Sequence, residues 1–222
     1  MTLGRPRLHH REIDSTNRRA RELAGTGAPH GTLVTAGVQT AGRGRQGRRW
    51  EAPEGSALLC SLVLREFDAL LSLRAGLAVA DVAGAAARVK WPNDVQVDGR
   101  KVAGVLVEGR PHEGWAVLGI GVNVSAAPPD VPDAGTLGRD GVEPVLAELL
   151  AALETRLAEP KAAALDALRA RDALLGSEVR WEGGEGVADG IDADGGLRVT
   201  TAGGEQILSA GEVHLTRPGG AG

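Results

Sequence analysis

The densest concentration of chemistry in the chain is Gly42-Arg43-Gly44-Arg45-Gln46-Gly47-Arg48-Arg49-Trp50, where three glycines are interleaved with four arginines and an indole closes the run. Glycine accepts positive φ and lets the backbone approach a ligand closely. Guanidinium groups present fixed cationic forks suited to phosphate and carboxylate oxygens. The tryptophan offers a flat face to a ring or a cation. Like charges and glycines in one stretch resist packing, so the expectation is a loop that is mobile alone and ordered by an anion. Ordering costs about 1–2 kcal/mol per residue in backbone entropy, which ligand contacts must exceed. A solvated Arg/Gly loop, or an RGG-like segment gripping single-stranded RNA, has the same composition. The loop by itself does not choose between these readings.

Other polar clusters stand before and after it. Asp14-Ser15-Thr16-Asn17 follows a short strand over Leu8–Ile13. Ser15 and Thr16 suit the N-cap of a helix running through Arg18, Ala20, Leu23 and Ala24 and ended by Gly25 and Gly27. Free N–H groups and two hydroxyls at a helix start can hold a polar ligand, or simply cap the helix. Thr32–Gly37 reads as a strand, with Gln39 just ahead of the Arg/Gly loop. A strand feeding a glycine-rich loop has the outline of a phosphate cradle, yet the loop has neither a Walker ending nor dinucleotide spacing. Lys90-Trp91-Pro92-Asn93-Asp94 cannot be helical, because proline forces the preceding residue into an extended conformation. Lys101 opens an otherwise apolar strand, where a solvated edge lysine is the ordinary explanation.

The elements that must position these groups follow from periodicity. Ala57–Leu64 is a continuous apolar run and reads as a buried strand, with Cys60 a small core residue in it. Leu70–Arg88 has helical apolar spacing. Val95 and Val97, the Asp98-Gly99 turn, Lys101–Glu108, a turn near Glu113-Gly114, and Trp115–Val124 form an antiparallel meander. That is not the strand–helix alternation of a doubly wound sheet. Residues 125–141 read as loop. Glu143-Pro144 opens a helix with Leu146, Leu149, Leu150, Leu153 and Leu157 on one face, broken by Pro160. A second helix is expected over about 162–175, ending at Gly176. Beyond it, Val179–Trp181, Gly186–Ala188, Leu197–Thr200, Gln206–Leu208 and Val213–Leu215 are short strands between Gly-rich turns, a small β-barrel appendage.

Composition narrows the partners. With 222 residues, 42% hydrophobic and 24% charged, the chain is ordinary for a soluble globular protein. Its net charge of −4 argues against a molecule built as a whole for nucleic acid. One cysteine rules out internal disulfides and cysteine-rich metal sites and suits a reducing cytoplasm. No apolar run is long enough to span a membrane, and no signal-peptide core opens the chain. His9, His10, His30, His112 and His214 are scattered without metal spacing.

With these pieces in place, the sequence resembles the biotin protein ligases (biotin–acetyl-CoA-carboxylase ligases) from Glu12 to Thr216. The markers occur in order: Glu12–Asn17, Gln39 with Gly42–Trp50, Lys90–Asp94, Arg100–Leu106 and Gly119–Asn123. The family loop usually reads GRGRRGR, so Gln46 here removes one cation. Bifunctional members begin with a helix-turn-helix that represses an operon. This chain has about a dozen residues before its core, so the expectation is a monofunctional ligase that binds no DNA.

The resemblance implies an α+β fold: a class II aminoacyl-tRNA synthetase-like mixed or antiparallel sheet with flanking helices over 1–175, and an SH3-like barrel over 176–222. It implies that biotin and Mg-ATP give biotinyl-5′-AMP and pyrophosphate, and that the acyl group then passes to one lysine of a biotin carboxyl carrier domain. Ser15, Thr16, Asn17, Gln39, Arg43, Gly44, Arg45 and Lys101 match positions around biotin. Arg48, Trp50, Asn93, Asp94 and Asn123 match the nucleotide side, with Trp50 stacking on adenine and Asp94 holding Mg²⁺. Lys101, Arg43 and Arg45 match the groups that bring carboxylate and α-phosphate together. Family members often pair through the large sheet, so a homodimer is open. The rival readings are a lipoate or octanoate ligase or transferase, and a non-catalytic module that binds biotin or nucleic acid.

Overall fold

The apolar run Ala57–Leu64 forms the strand β3, every residue of which is buried. The reason is visible on both of its faces. Leu58, Cys60, Leu62 and Leu64 enter the main hydrophobic cluster, while Val63 joins a smaller cluster with Ala20, Ala24 and Trp115. The computed structural model describes residues 3–209 and 211–216, the Pro111 side chain excepted. The tail 217–222 of the expected second domain lies outside the described residues.

Chain order gives β1 (Arg7–Ile13), α1 (Thr16–Gly25), β2 (Leu33–Gln39), β3, α2 (Leu71–Ala83), β4 (Ala87–Lys90), β5 (Asp94–Val97), β6 (Arg100–Arg110) and β7 (Trp115–Asn123). These seven strands make one sheet in the order β1-β2-β3-β7-β6-β5-β4. β1 and β2 are parallel, and the other pairs are antiparallel. Next come α3 (Val142–Ala158) and α4 (Lys161–Ala170), then β8 (Glu178–Trp181), β9 (Gly184–Ile191), β10 (Leu197–Thr201), β11 (Gly204–Leu208) and β12 (Val213–Leu215). The last five form a second sheet, β11-β10-β9-β8-β12. The fold is thus mixed α+β, a large sheet with a few helices and a small C-terminal sheet.

α2 and α3 pack the main cluster through Leu73, Leu77, Leu146, Leu149 and Leu153, whose spacing puts them on one stripe of each helix. α1 lies against the opposite face, over β3 and β7, and that face carries the polar groups discussed below. Arg74 of α2 is 4% exposed. It meets Asp68 and donates to the Arg156 and Glu159 carbonyls at the end of α3, supplying donors that the helix terminus lacks. The C-terminal sheet is continuous with the main core, to which Val179, Leu197, Val199 and Val213 contribute. The Trp91 Nε1–H donates to the Gly195 carbonyl at 3.0 Å, pinning the β9–β10 turn to the large sheet.

Two expected boundaries move. The helix expected over Leu70–Arg88 ends at Ala83, because Gly84 takes φ 97°, and Ala87–Lys90 becomes the edge strand β4. An alanine-rich sequence carries no strand signal, so only the sheet reveals it. The helix expected over about 162–175 ends at Ala170. Residues 171–173 instead run along β4, with Val89 N–H donating to Arg171 O and Ala173 N–H to Val89 O. This backbone covers an edge that would otherwise stay unpaired.

Candidate active site

One cavity of about 830 Å³ opens on the α1 side of the large sheet, and every residue that the resemblance places at a site lines it. Its floor is made of strand glycines. A Cβ on Gly119 would collide with the Asn17 amide, and one on Gly121 with the Trp50 indole; at Gly104 it would sit 3.0 Å from Trp50 Cζ3. Glycine inside a strand marks such close approaches.

At one end the start of α1 supplies hydroxyls and amides. Ser15 is the N-cap and accepts from Arg18 N–H. Gln39 Oε1, at the end of β2, accepts from Thr16 N–H at 2.7 Å and from Thr16 Oγ1–H at 3.0 Å. Asn17 donates from Nδ2 to Glu108 Oε2 at 3.0 Å, and its Oδ1 lies 2.6 Å from Ser61 Oγ. Ser15, Thr16, Asn17 and Ser61 are almost wholly buried, so their orientation is set by partners rather than by water, while Gln39 is half-buried.

The loop after β2 folds down over the cavity as a hairpin in which Arg43 bridges Arg49, around a tight turn at Arg45–Gly47. Gln46 takes the left-handed conformation there, φ 53°. Protein acceptors offset the repulsion among the four guanidiniums. Arg43 meets Glu108 at 3.0 Å. Arg45 reaches Asn93 Oδ1 at 3.3 Å and Gly211 O at 3.1 Å. Arg48 pairs with Glu212, and Arg49 donates to Thr40 O at 3.1 Å. Burial pushes the Arg45 pKa down, opposed by nearby Asp94.

At the other end stand the groups of β4–β7. Lys101 Nζ lies 2.7 Å from Asp94 Oδ1 and 5.6 Å from the centroid of the Trp50 ring. Its backbone is fixed by the 125–141 segment, with Lys101 N–H donating to Asp133 O and Gly135 N–H to Lys101 O. With that pairing the start of β6 is not a free sheet edge, the ordinary explanation for a lysine there. Asn93 Nδ2 donates to Val105 O, and Asn123 Nδ2 to Gly135 O, both at 2.9 Å. Lys90 also lines the cavity; burial lowers its pKa, with Asp94 opposing. Arg43, Arg45, Arg48, Arg49, Lys90 and Lys101 line the cavity with Glu51, Asp94 and Asp133, and Glu108 and Glu212 pair with Arg43 and Arg48 from behind, so a small cationic excess remains for an anionic ligand. Cys60 has its thiol pushed up to about 12 by burial, as a core residue should.

Sequence reasoning missed the groups that hold the site from outside it. Ser61 stands alone as a hydroxyl in an apolar strand, which was a readable signal. Glu108, Glu212 and the Gly211 carbonyl gave none, since their partners are far away in the chain. His214 and Leu215 also line the cavity, so the C-terminal sheet forms part of its wall.

The mixed sheet and the anion-suited cavity under the glycine–arginine loop fit a ligase, the class that comparison with known proteins shows. The chain belongs to the biotin/lipoate A/B protein ligase family: residues 10–125 match that family, and residues 174–215 match the biotin protein ligase C-terminal domain. It is 39% identical to the biotin–[acetyl-CoA-carboxylase] ligase of Mycobacterium tuberculosis, over 92% of this chain and 87% of that protein. It is 41% identical to the bifunctional ligase/repressor BirA of Bacillus subtilis, over 59% of this chain and 44% of that protein, and so spans less than half of that relative. Among solved structures, the biotin protein ligase of Aquifex aeolicus in complex with biotin and ATP superposes with a TM-score of 0.82 at 30% identity, covering 96% of this chain and 99% of that one.

Proposed function

We propose that this chain is a biotin–protein ligase. It would activate biotin with ATP as biotinyl-5′-AMP and pass the acyl group to one lysine of a biotin carboxyl carrier domain, in the cytoplasm. The observation that carries the reading is the meeting, in one cavity, of a buried hydroxyl–amide array with Lys101, Asp94 and the arginine flap.

The ureido ring of biotin needs acceptors for two N–H groups and a donor for its carbonyl, which Ser15, Thr16, Asn17 and Gln39 supply between them. In the first step a carboxylate oxygen bonds to the α-phosphorus while pyrophosphate leaves. Two anions must approach, and preorganised cations offset that repulsion without having to reorganise as charge shifts. Lys101 is our catalytic cation at the junction, assisted by Arg43 and Arg45, with Gly44 letting the flap backbone close over the ligand. Arg48, Trp50, Asn93 and Asn123 serve the nucleotide, Trp50 as the face for adenine. In the second step the acceptor amine bonds to the acyl carbon and AMP leaves; positioning is the main demand, because the acyl group is already activated. The amine proton leaves to a base, for which Asp94, a carboxylate in the cavity lining, is a candidate.

Mg²⁺ fits the donor set in one way. No three acidic, histidine or cysteine side chains converge among the described residues, so Asp94 would share the ion with phosphate oxygens. When bound, the ion would neutralise phosphate charge.

We further read residues 1–175 as the catalytic unit, similar to class II synthetase cores, and 176–222 as an SH3-like unit. Among the described residues no helix is long and apolar enough to cross a membrane, and Cys60 is a buried free thiol, both compatible with this setting. The test is pyrophosphate release from ATP, with biotin as substrate and lipoate and RNA as controls. Release with biotin alone is expected. Release with lipoate and not biotin would overturn the reading.

A further inference from the structure

We infer that Glu108 is a positioning residue that ties the biotin pocket to the arginine flap, an inference that rests on the ligase reading above. Its side chain is 18% exposed, and its two oxygens have different partners. Oε2 accepts from Asn17 Nδ2 at 3.0 Å. Oε1 faces Arg43 of the flap at 3.0 Å and Arg21 of α1 at 3.3 Å.

An ionised carboxylate is acceptor-only, so it dictates which end of the Asn17 amide faces it. Nδ2 must turn to Glu108, which leaves Oδ1 toward Ser61. Thr16 Oγ1 gives its proton to Gln39, so Ser61 Oγ, within 2.8 Å of Thr16 Oγ1 and 2.6 Å of Asn17 Oδ1, is the donor for either. Glu108 thus orients the Asn17 amide, and with Gln39 orienting Thr16 it sets the direction of the hydrogen bonds through Ser61 at the proposed ureido end of the pocket. Through its other oxygen it holds the first arginine of the flap. Both functional elements are pinned to β6, the strand that begins with Arg100 and Lys101.

The two arms separate chemically. Glu108→Gln keeps an amide oxygen that can accept from Asn17, but it loses the charge and presents N–H groups toward Arg43. Glu108→Ala removes both arms. With biotin-dependent ATP–pyrophosphate exchange and a chase measuring escape of biotinyl-AMP, Glu108→Gln is expected to speed escape about fivefold, modest because Arg43 is half exposed. Its biotin KM should stay within about threefold of the parent chain. Glu108→Ala is expected to raise biotin KM about tenfold, since a buried donor loses a charged acceptor, and to speed escape as well. Escape unchanged in Glu108→Gln, biotin KM unchanged in Glu108→Ala, or biotin KM raised equally in both variants overturns the inference. If Glu108→Ala does not fold, the near-isosteric Gln variant decides on escape and KM. An unmodified chain with no biotin-dependent exchange would instead overturn the ligase reading, so the two failures are distinguishable.

Discussion

At the scale of single residues, the site shows how burial assigns different work to groups of similar type. Lys101 and Lys90 both line the cavity; Lys101 is ion-paired to Asp94, while Lys90 has its pKa lowered chiefly by burial. Cys60 is the opposite case, a reactive residue type made inert. Its thiol is pushed up to about 12 by loss of water, so in the folded chain it stays neutral throughout the neutral and mildly basic range. An unfolded cysteine ionises near pH 8.5. A raised folded pKa means that this contribution to stability is intact below about pH 8.5 and is lost as pH climbs toward 12. Iodoacetamide at pH 8 should leave the folded chain unlabelled and label it once in denaturant. Rapid labelling of the folded chain would contradict the burial. Glycines 104, 119 and 121 show the complementary effect, space kept for the Trp50 ring and the Asn17 amide.

At the scale of elements, the flap is held by acceptors from three places: Glu108 on β6, Asn93 between β4 and β5, and Gly211 with Glu212 just before β12. Arg45→Ala removes the contacts to Asn93 and Gly211 together. The expected result is faster loss of the adenylate, read as self-biotinylation and biotinylation of bystander proteins, with unchanged leakage counting against a closing role. The helix start, the place of the Arg/Gly loop, the non-helical Lys90–Asp94 stretch and the β5–β6–β7 meander were readable from sequence, because capping residues, glycines, proline and Asp-Gly turns act locally. Strand β4 was not, since Ala87–Lys90 is a strand only by pairing with β5 and with residues 171–173. Glu108 escaped notice for a related reason: its partner Asn17 lies 91 positions away. Local chemistry announces itself in sequence, whereas a positioning role exists only after tertiary contact.

At the scale of the whole molecule, the C-terminal sheet shares the main hydrophobic cluster with the large sheet and reaches the cavity through His214 and Leu215. The buried Trp91 Nε1–Gly195 O hydrogen bond is one of the ties that fix it. Trp91→Phe should cost about 1 kcal/mol from that bond alone. For a chain of this size that lowers Tm by about 2–4 °C, measured by calorimetry. An unchanged Tm would mean that the tie contributes nothing to docking. The electrostatic reading of the whole site is tested most directly by Lys101→Ala, assayed separately for adenylate synthesis from biotin and ATP and for transfer from added biotinyl-AMP. Synthesis is predicted to fall about 100-fold or more while transfer changes little. Synthesis at the parental rate, or equal loss of both steps, would contradict the placement of the lysine charge at the junction of carboxylate and phosphate.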